Sequence, residues 1–315
     1  MDLSGNERGA EKAPRSFRSD MGSYTKTELV IELTPNITRL EDSIIMTLKD
    51  KTVVVTGSSR GIGRAIAEAC AAAGANVVLC SRDFTLLSKT VEELYQSGFS
   101  VRAFQADVTN EAEILGLFES SKLAFGKIDV WINNAGISGG YRTLQSMTTD
   151  EIREVIDTNL MGSFYACRLL IPYFISSGGG TIINIGGRGG RGNPSPFQSP
   201  YGASKAAITS LTKSLAAENK DKPISINCLF PGMVETDIYK DVKTCPETDS
   251  KMGLMSVLLK AFATPIERVQ KVALEMCSVK PGRITGKCYS AERPERFFRA
   301  LMALPDFIKY SRRKP

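Results

Sequence analysis

The sequence predicts an α/β fold, a doubly wound parallel sheet in a single domain. Three observations point there. From residue 50 onward, short β-branched runs alternate with longer helical stretches. The short runs are apolar along their length, as strands covered on both faces are. The first run also ends in a glycine-rich loop that opens a helix.

Taken in order, the predicted strands are 52–56 (TVVVT), 76–80 (NVVLC), 101–105 (VRAFQ), 128–133, 181–185 (TIINI), 224–229 (ISINCL) and 284–290 (ITGKCYS). Valine, isoleucine and threonine suit strands because their branched side chains pack well on a pleated surface. Between them lie predicted helices near 61–73, 83–97, 110–124, 149–175, 200–219 and 265–278, with Asp83 as the N-cap of the second. A sheet of this kind binds ligands outside the carboxyl ends of its strands. Every motif described below falls at such an end.

Composition narrows the chemistry. The chain has 315 residues and no histidine, which excludes Ser-His-Asp and Cys-His catalytic sets and His-ligated metal sites; no metal is expected. Apolar runs fall short of a membrane span, and the polar start MDLSGNERGAEKAPRS has no secretion-signal core. Seven scattered cysteines read as free thiols in a reducing compartment, so the expected location is cytoplasmic. The net charge is +6, but much of the excess sits in the C-terminal tail, a weak argument for nucleic acid, and no nucleic-acid partner is expected. Residues 1–45 read as a flexible extension with one strand-like alternation at 27–33; Met46 is a natural start for the domain that follows. Residues 46–291 form the expected catalytic domain. Residues 292–315 form a basic amphipathic tail expected to dock on a neighbouring subunit or on its own domain, with contact to a membrane surface as the alternative.

The first predicted strand runs into Thr56-Gly57-Ser58-Ser59-Arg60-Gly61-Ile62-Gly63. Glycine there permits a tight turn and close backbone approach, and the following helix offers free N–H groups to a phosphate. The second strand ends in Ser81 and Arg82 rather than an acidic residue, which suits a ribose 2′-phosphate. Arg60 is a second cation in range. Tyr201 and Lys205 stand four apart on one helix and share a face. A neighbouring ammonium favours the phenolate, so Lys205 is expected to lower the Tyr201 pKa and let a chain without histidine exchange a proton.

Several of these motifs occur together, in order. TGSSRGIG at 56–63, Ala106-Asp107-Val108-Thr109, Asn133-Asn134-Ala135-Gly136, Asn159, Tyr201-Gly202-Ala203-Ser204-Lys205 and Pro231-Gly232-Met233-Val234-Glu235-Thr236-Asp237 resemble the motifs of the short-chain dehydrogenase/reductase family, over residues 50–290. The resemblance implies a Rossmann-like fold and a homo-oligomer. It implies cofactor contacts from Gly57, Ser59, Arg60, Gly61, Ile62, Gly63, Ser81, Arg82, Asp107, Val108, Asn134, Ala135, Gly136, Tyr201, Lys205, Pro231, Gly232, Val234 and Thr236. By the same resemblance, Tyr201 exchanges the proton of the substrate oxygen. Lys205 also holds the nicotinamide ribose, and Asn159 supports a water that relays protons to Lys205. The implied activity is NADP(H)-dependent hydride transfer to or from a small carbonyl or secondary alcohol.

One motif departs from the family. Its catalytic serine follows the fifth strand; here the sequence is Gly186-Gly187-Arg188-Gly189-Gly190-Arg191-Gly192, with Gly187 in the serine's place. Three readings are open: backbone N–H groups of the loop replace the hydroxyl, Ser195 or Ser199 does so, or the protein is an NADP(H)-binding sensor or scaffold with little activity. The first is favoured because glycine allows close backbone approach. Arg188 and Arg191 are candidates for an anionic substrate group, and also simple solvated loop residues. Met252, Leu254, Met255, Val257, Leu258 and Leu259 form a candidate apolar lid.

Overall fold

The computed structural model of the protein describes residues 47–292, apart from 240–241 and 253–254. The predicted N-terminal extension, its strand at 27–33, the tail beyond Glu292, and Leu254 of the candidate lid lie outside the described residues.

Seven strands form one sheet: β1 (Thr52–Thr56), β2 (Asn76–Ser81), β3 (Val101–Gln105), β4 (Val130–Asn133), β5 (Gly180–Ile185), β6 (Ile224–Phe230) and β7 (Cys288–Ser290). Their order is β3-β2-β1-β4-β5-β6-β7, and every pairing is parallel. The last strand is shorter than predicted. Gly286, at φ +74°, sits inside the run 284–290, and backbone in that region does not continue a strand. Only Cys288–Ser290 pairs with β6.

The helices are α1 (Gly61–Ala72), α2 (Phe84–Gln96), α3 (Glu111–Phe125), α4 (Thr149–Ile156), α5 (Gly162–Ser176), α6 (Ser199–Glu218), α7 (Pro246–Met252), α8 (Met255–Phe262) and α9 (Ile266–Ser278). Alternation along the strands sorts them into two layers. Val53 and Val55 face one side with Ile66 of α1, Leu87 of α2 and Val269 of α9. Val54 faces the other with Ile114 of α3, Leu170 and Phe174 of α5, and Trp131. The strands are therefore apolar on both faces.

The single helix predicted over 149–175 is two helices joined by a π-helical turn, Asp157–Met161. An extra residue in a turn breaks the 3.6-residue register, a feature apolar spacing does not reveal. Segment 240–263, which lacks a clear sequence pattern, contains α7 and α8.

A polar chain crosses the core beneath the strand ends. Asn133 Nδ2 donates to Asn184 Oδ1 at 2.8 Å, and Asn184 Nδ2 donates to Thr212 Oγ1 at 2.9 Å. It links β4, β5 and α6. Replacing Asn184, which is fully buried, strands polar atoms on both sides. Asn184→Ala is expected to destabilise the fold by about 2 kcal/mol or more, measured by urea unfolding; an unchanged midpoint would show the chain to be dispensable.

Candidate active site

The carboxyl ends of β1 and β4 are stitched together. Thr56 Oγ1 accepts from the backbone N–H groups of Asn134 and Ala135, each at 3.1 Å. Asn134 Nδ2 donates to the carbonyls of Thr56 (2.8 Å) and Gly57 (3.0 Å). Gly57 has φ +62°, and a Cβ there would lie 2.7 Å from the Ala135 Cα. The two loops touch backbone to backbone, which only glycine at this position allows.

The N-termini of α2, α3 and α4 are capped by side chains. Asp83 accepts from Leu86 N, Asn110 from Ala112 N, and Thr148 and Glu151 form a capping box. Helix α1 has no side-chain cap at Arg60. Its first residues Gly61, Ile62 and Gly63 line a cleft, and their N–H groups have no side-chain acceptor among the described residues, as an anion-binding helix start requires.

That cleft has a volume of about 820 Å³. It gathers Gly57, Ser59, Arg60, Gly61, Ile62, Gly63, Ser81, Arg82, Val108, Asn134, Ala135, Gly136, Tyr201, Lys205, Pro231, Gly232, Val234 and Thr236. Two predicted residues stand apart. Asp107 does not line the cleft; its carboxylate accepts from Thr109 N and Oγ1, both at 2.9 Å, and closes a turn. Asn159 sits behind the wall in the π-helical turn. Its amide clamps both main-chain groups of Ile137 (2.8 and 3.0 Å) and donates to Ser204 Oγ at 3.0 Å.

Residues 56–63, 81–82 and 134–136 fit a dinucleotide phosphate: uncapped N–H groups, glycines at the close approaches, and cations beside them. Arg60 forms no ion pair among the described residues. Arg82 lies 3.7 Å from Asp107 and 4.0 Å from Glu154, at about half exposure. Two carboxylates thus hold it at the end of β2.

Lys205 is the deepest charge at the site, 4% exposed. Its Nζ donates to the Ile185 carbonyl at 2.9 Å and lies 5.7 Å from the Tyr201 ring centroid. Burial lowers its pKa to about 8. The expected lowering of Tyr201 is not found: burial, with a smaller contribution from Tyr239, pushes the phenol above its ordinary range. Spacing on a helix put the ammonium on the right face, but burial of the phenol sets the direction of its shift.

Gly187 packs against that phenol. A Cβ on Gly187 would lie 2.5 Å from Tyr201 Oη, so the tyrosine occupies the space a side chain would need. Neither serine proposed as a substitute lines the cleft. Ser195 Oγ is buried without a hydrogen-bond partner, against Gly189 and Gly202; Ser199 starts α6 and is exposed. The backbone N–H groups of Gly187, Arg188 and Gly189 have no acceptor among the described residues.

Sequence reasoning missed the outer wall. Glu151 accepts from Arg142 at 2.8 Å and from Lys243 at 3.0 Å. Tyr141 N donates to Lys243 O at 2.8 Å, and Arg142 N to Phe197 O at 2.8 Å. Loops following β4, β5 and β6 are tied into one rim by residues far apart in sequence, so no local pattern signals it. Tyr239, on the turn Asp237–Tyr239, also lines the cleft, as do Met252 and Met255; Val257, Leu258 and Leu259 of the candidate lid do not.

The described residues contain no cluster able to hold a metal and no helix long and apolar enough to cross a membrane. Residues 51–246 match the short chain dehydrogenase family. The chain is similar to 3beta-hydroxysteroid dehydrogenase 1 of Eggerthella lenta, 35% identical over 76% of this chain and 91% of the relative. It is similar to a chloroplastic chlorophyll(ide) b reductase of Arabidopsis thaliana, 37% identical over 59% of this chain and 55% of that protein. Among solved structures, a 3-ketoacyl-(acyl-carrier-protein) reductase from Brucella melitensis complexed with NADH superposes with a TM-score of 0.68, at 27% identity, covering 78% of this chain and 97% of that one.

The Arg142 and Lys243 cations, with the Thr148 N–H, hold the Glu151 carboxyl well below its usual range, at about 2. A depressed carboxylate stabilises the rim above its unfolded pKa, and that contribution is lost as pH falls through the folded value. Amide exchange at Tyr141 and Arg142 should therefore stay slow at pH 4 and quicken toward pH 2, whereas Glu151→Gln should make it fast at pH 7. Slow exchange in the variant at pH 7 would sink the tie.

Proposed function

The chain belongs to the short chain dehydrogenase family, and on that footing we propose that it is an NADP(H)-dependent oxidoreductase acting on a carbonyl or secondary alcohol. One observation carries the reading. The Tyr201 phenol and the Lys205 ammonium line the same cleft as the uncapped glycine loop of α1. When bound, the nicotinamide supplies or accepts the hydride.

The remaining chemistry belongs to the chain. Tyr201 gives its proton to the substrate oxygen during reduction and takes it back during oxidation. Burial keeps the resting phenol protonated, the form reduction needs. Lys205 keeps one hydrogen bond to Ile185 O and has two further donors for the ribose side of the site. Asn159 acts as a positioning residue: it fixes Ile137 behind the reacting centre. Free N–H groups at Gly187 to Gly189 supply polarisation that a serine hydroxyl gives elsewhere in the family.

Preference for the phosphorylated cofactor rests on Arg60 and Arg82, since the solved Brucella melitensis reductase holds NADH. The free thiols of the described cysteines suit a reducing, cytoplasmic setting. The homo-oligomer is carried over from the family resemblance. A second reading, a cofactor-binding scaffold, is favoured by Gly187 alone.

Three measurements test this. Energy transfer from Trp131 to bound NADPH gives affinity; Arg82→Ala should weaken NADPH about tenfold or more while leaving NADH nearly unchanged, and equal losses would refute the phosphate role. Tyr201→Phe should abolish NADPH oxidation across aldehydes and ketones with binding retained. If the wild type binds NADPH and turns over nothing on such a panel, the scaffold reading stands instead. Lys205 is charged below about pH 8. Because its lowered pKa loses the cation as pH rises, kcat/KM for NADPH should fall above pH 8, and a profile flat to pH 10 would contradict that assignment.

A further inference from the structure

Among the described residues, the outer half of the cleft carries four cations, of which three are engaged. Arg142 and Lys243 share Glu151. Arg191 lies over the Phe230 ring at 4.8 Å and 3.6 Å from Glu292. Arg188 is exposed, lines the cleft and forms no ion pair among the described residues. It directly follows Gly187, which packs on the Tyr201 hydroxyl, so its backbone adjoins the residue against the phenol.

Two further features share that position. The backbone N–H groups of Arg188 and Gly189 have no acceptor among the described residues. Gly189 has φ +86°, and successive N–H groups at such a turn make a concavity suited to an anion. Tyr239 lies close enough to Arg188 to feel its charge, and burial keeps its phenol protonated, a donor. A guanidinium, two amides and a phenol thus line one stretch of the same cleft. Between the rim and this position the wall also presents the apolar side chains Met233, Ile238, Val242, Met252 and Met255.

We infer that the substrate carries an anionic oxygen group, a carboxylate, phosphate or sulfate, held by Arg188 with Tyr239 beside the reacting carbonyl, on an otherwise apolar body. This rests on the oxidoreductase reading of the same cleft and names its substrate class. An oxyanion satisfies all three kinds of donor together, and arginine pairs with it through two parallel hydrogen bonds. A neutral ketone leaves the Arg188 charge without a partner at the mouth of the site.

The test compares a medium-chain keto carboxylate, its methyl ester, and the keto phosphate and keto sulfate of the same length. The wild type is expected to prefer at least one anion over the ester by ten- to a hundredfold in kcat/KM, with the preference shrinking as salt is raised. The anion that gains most identifies the group. Arg188→Gln should collapse the anion-to-ester ratio toward one and Arg188→Lys should restore part of it. NADPH affinity by Trp131 energy transfer serves as the control for folding. A wild type that uses the ester as well as every anion would overturn the inference, as would a ratio unmoved by Arg188→Gln. Should NADPH bind while no carbonyl is reduced, the oxidoreductase reading fails separately. The anion site is then read from keto carboxylate binding to the NADPH complex by calorimetry, lost in Arg188→Gln if the inference holds and retained if it does not.

Discussion

A charge taken out of water organises this molecule. Lys205 is almost fully buried and holds its ammonium against one backbone carbonyl, Ile185 O. An interior ammonium without hydrogen-bond partners would be costly, and its pKa falls toward neutrality as a result. The surroundings are shaped to it. Gly136 lacks a side chain where one would lie 3.6 Å from Nζ, and Gly187 where one would crowd both the lysine stem and the phenol. Helix α6 places Lys205 one turn below Tyr201, so the phenol and the buried cation share one helix.

The glycine loop after β5 meets that phenol: a side chain on Gly187 would require the tyrosine hydroxyl to shift. The loop instead exposes main-chain donors, and the neighbouring residue contributes a guanidinium. The rim outside it is held by Glu151, which binds two cations from different loops. A site with a rigid rear wall and a tied rim can present donors in fixed directions, which is what electrostatic stabilisation of a developing charge needs.

Much of this was legible from residues alone. The alternation of β-branched runs with helical stretches gave the strand order its raw material, and TGSSRGIG and Tyr201-x-x-x-Lys205 marked two walls of the cleft. Asp83 as a helix cap was legible too, because capping is decided within four residues. The exceptions have physical causes. Asp107 turns its carboxylate to Thr109, a local competition that a motif does not register. The π-helical turn at Asp157–Met161 hides in a run whose apolar spacing still looks helical. The Tyr201 shift has the opposite sign because desolvation depends on everything packed around the ring.

The sequence by itself determined the layers, the parallel sheet and the placing of Tyr201 and Lys205 on one face of one helix, since these depend on periodicity and on residues a few positions apart. Tertiary structure alone decided the rest: that Gly187 meets the phenol, that Glu151 joins Arg142 to Lys243, and that Arg188 has no carboxylate partner among the described residues. Those facts depend on which distant loops converge at the strand ends, and on how much solvent the convergence removes.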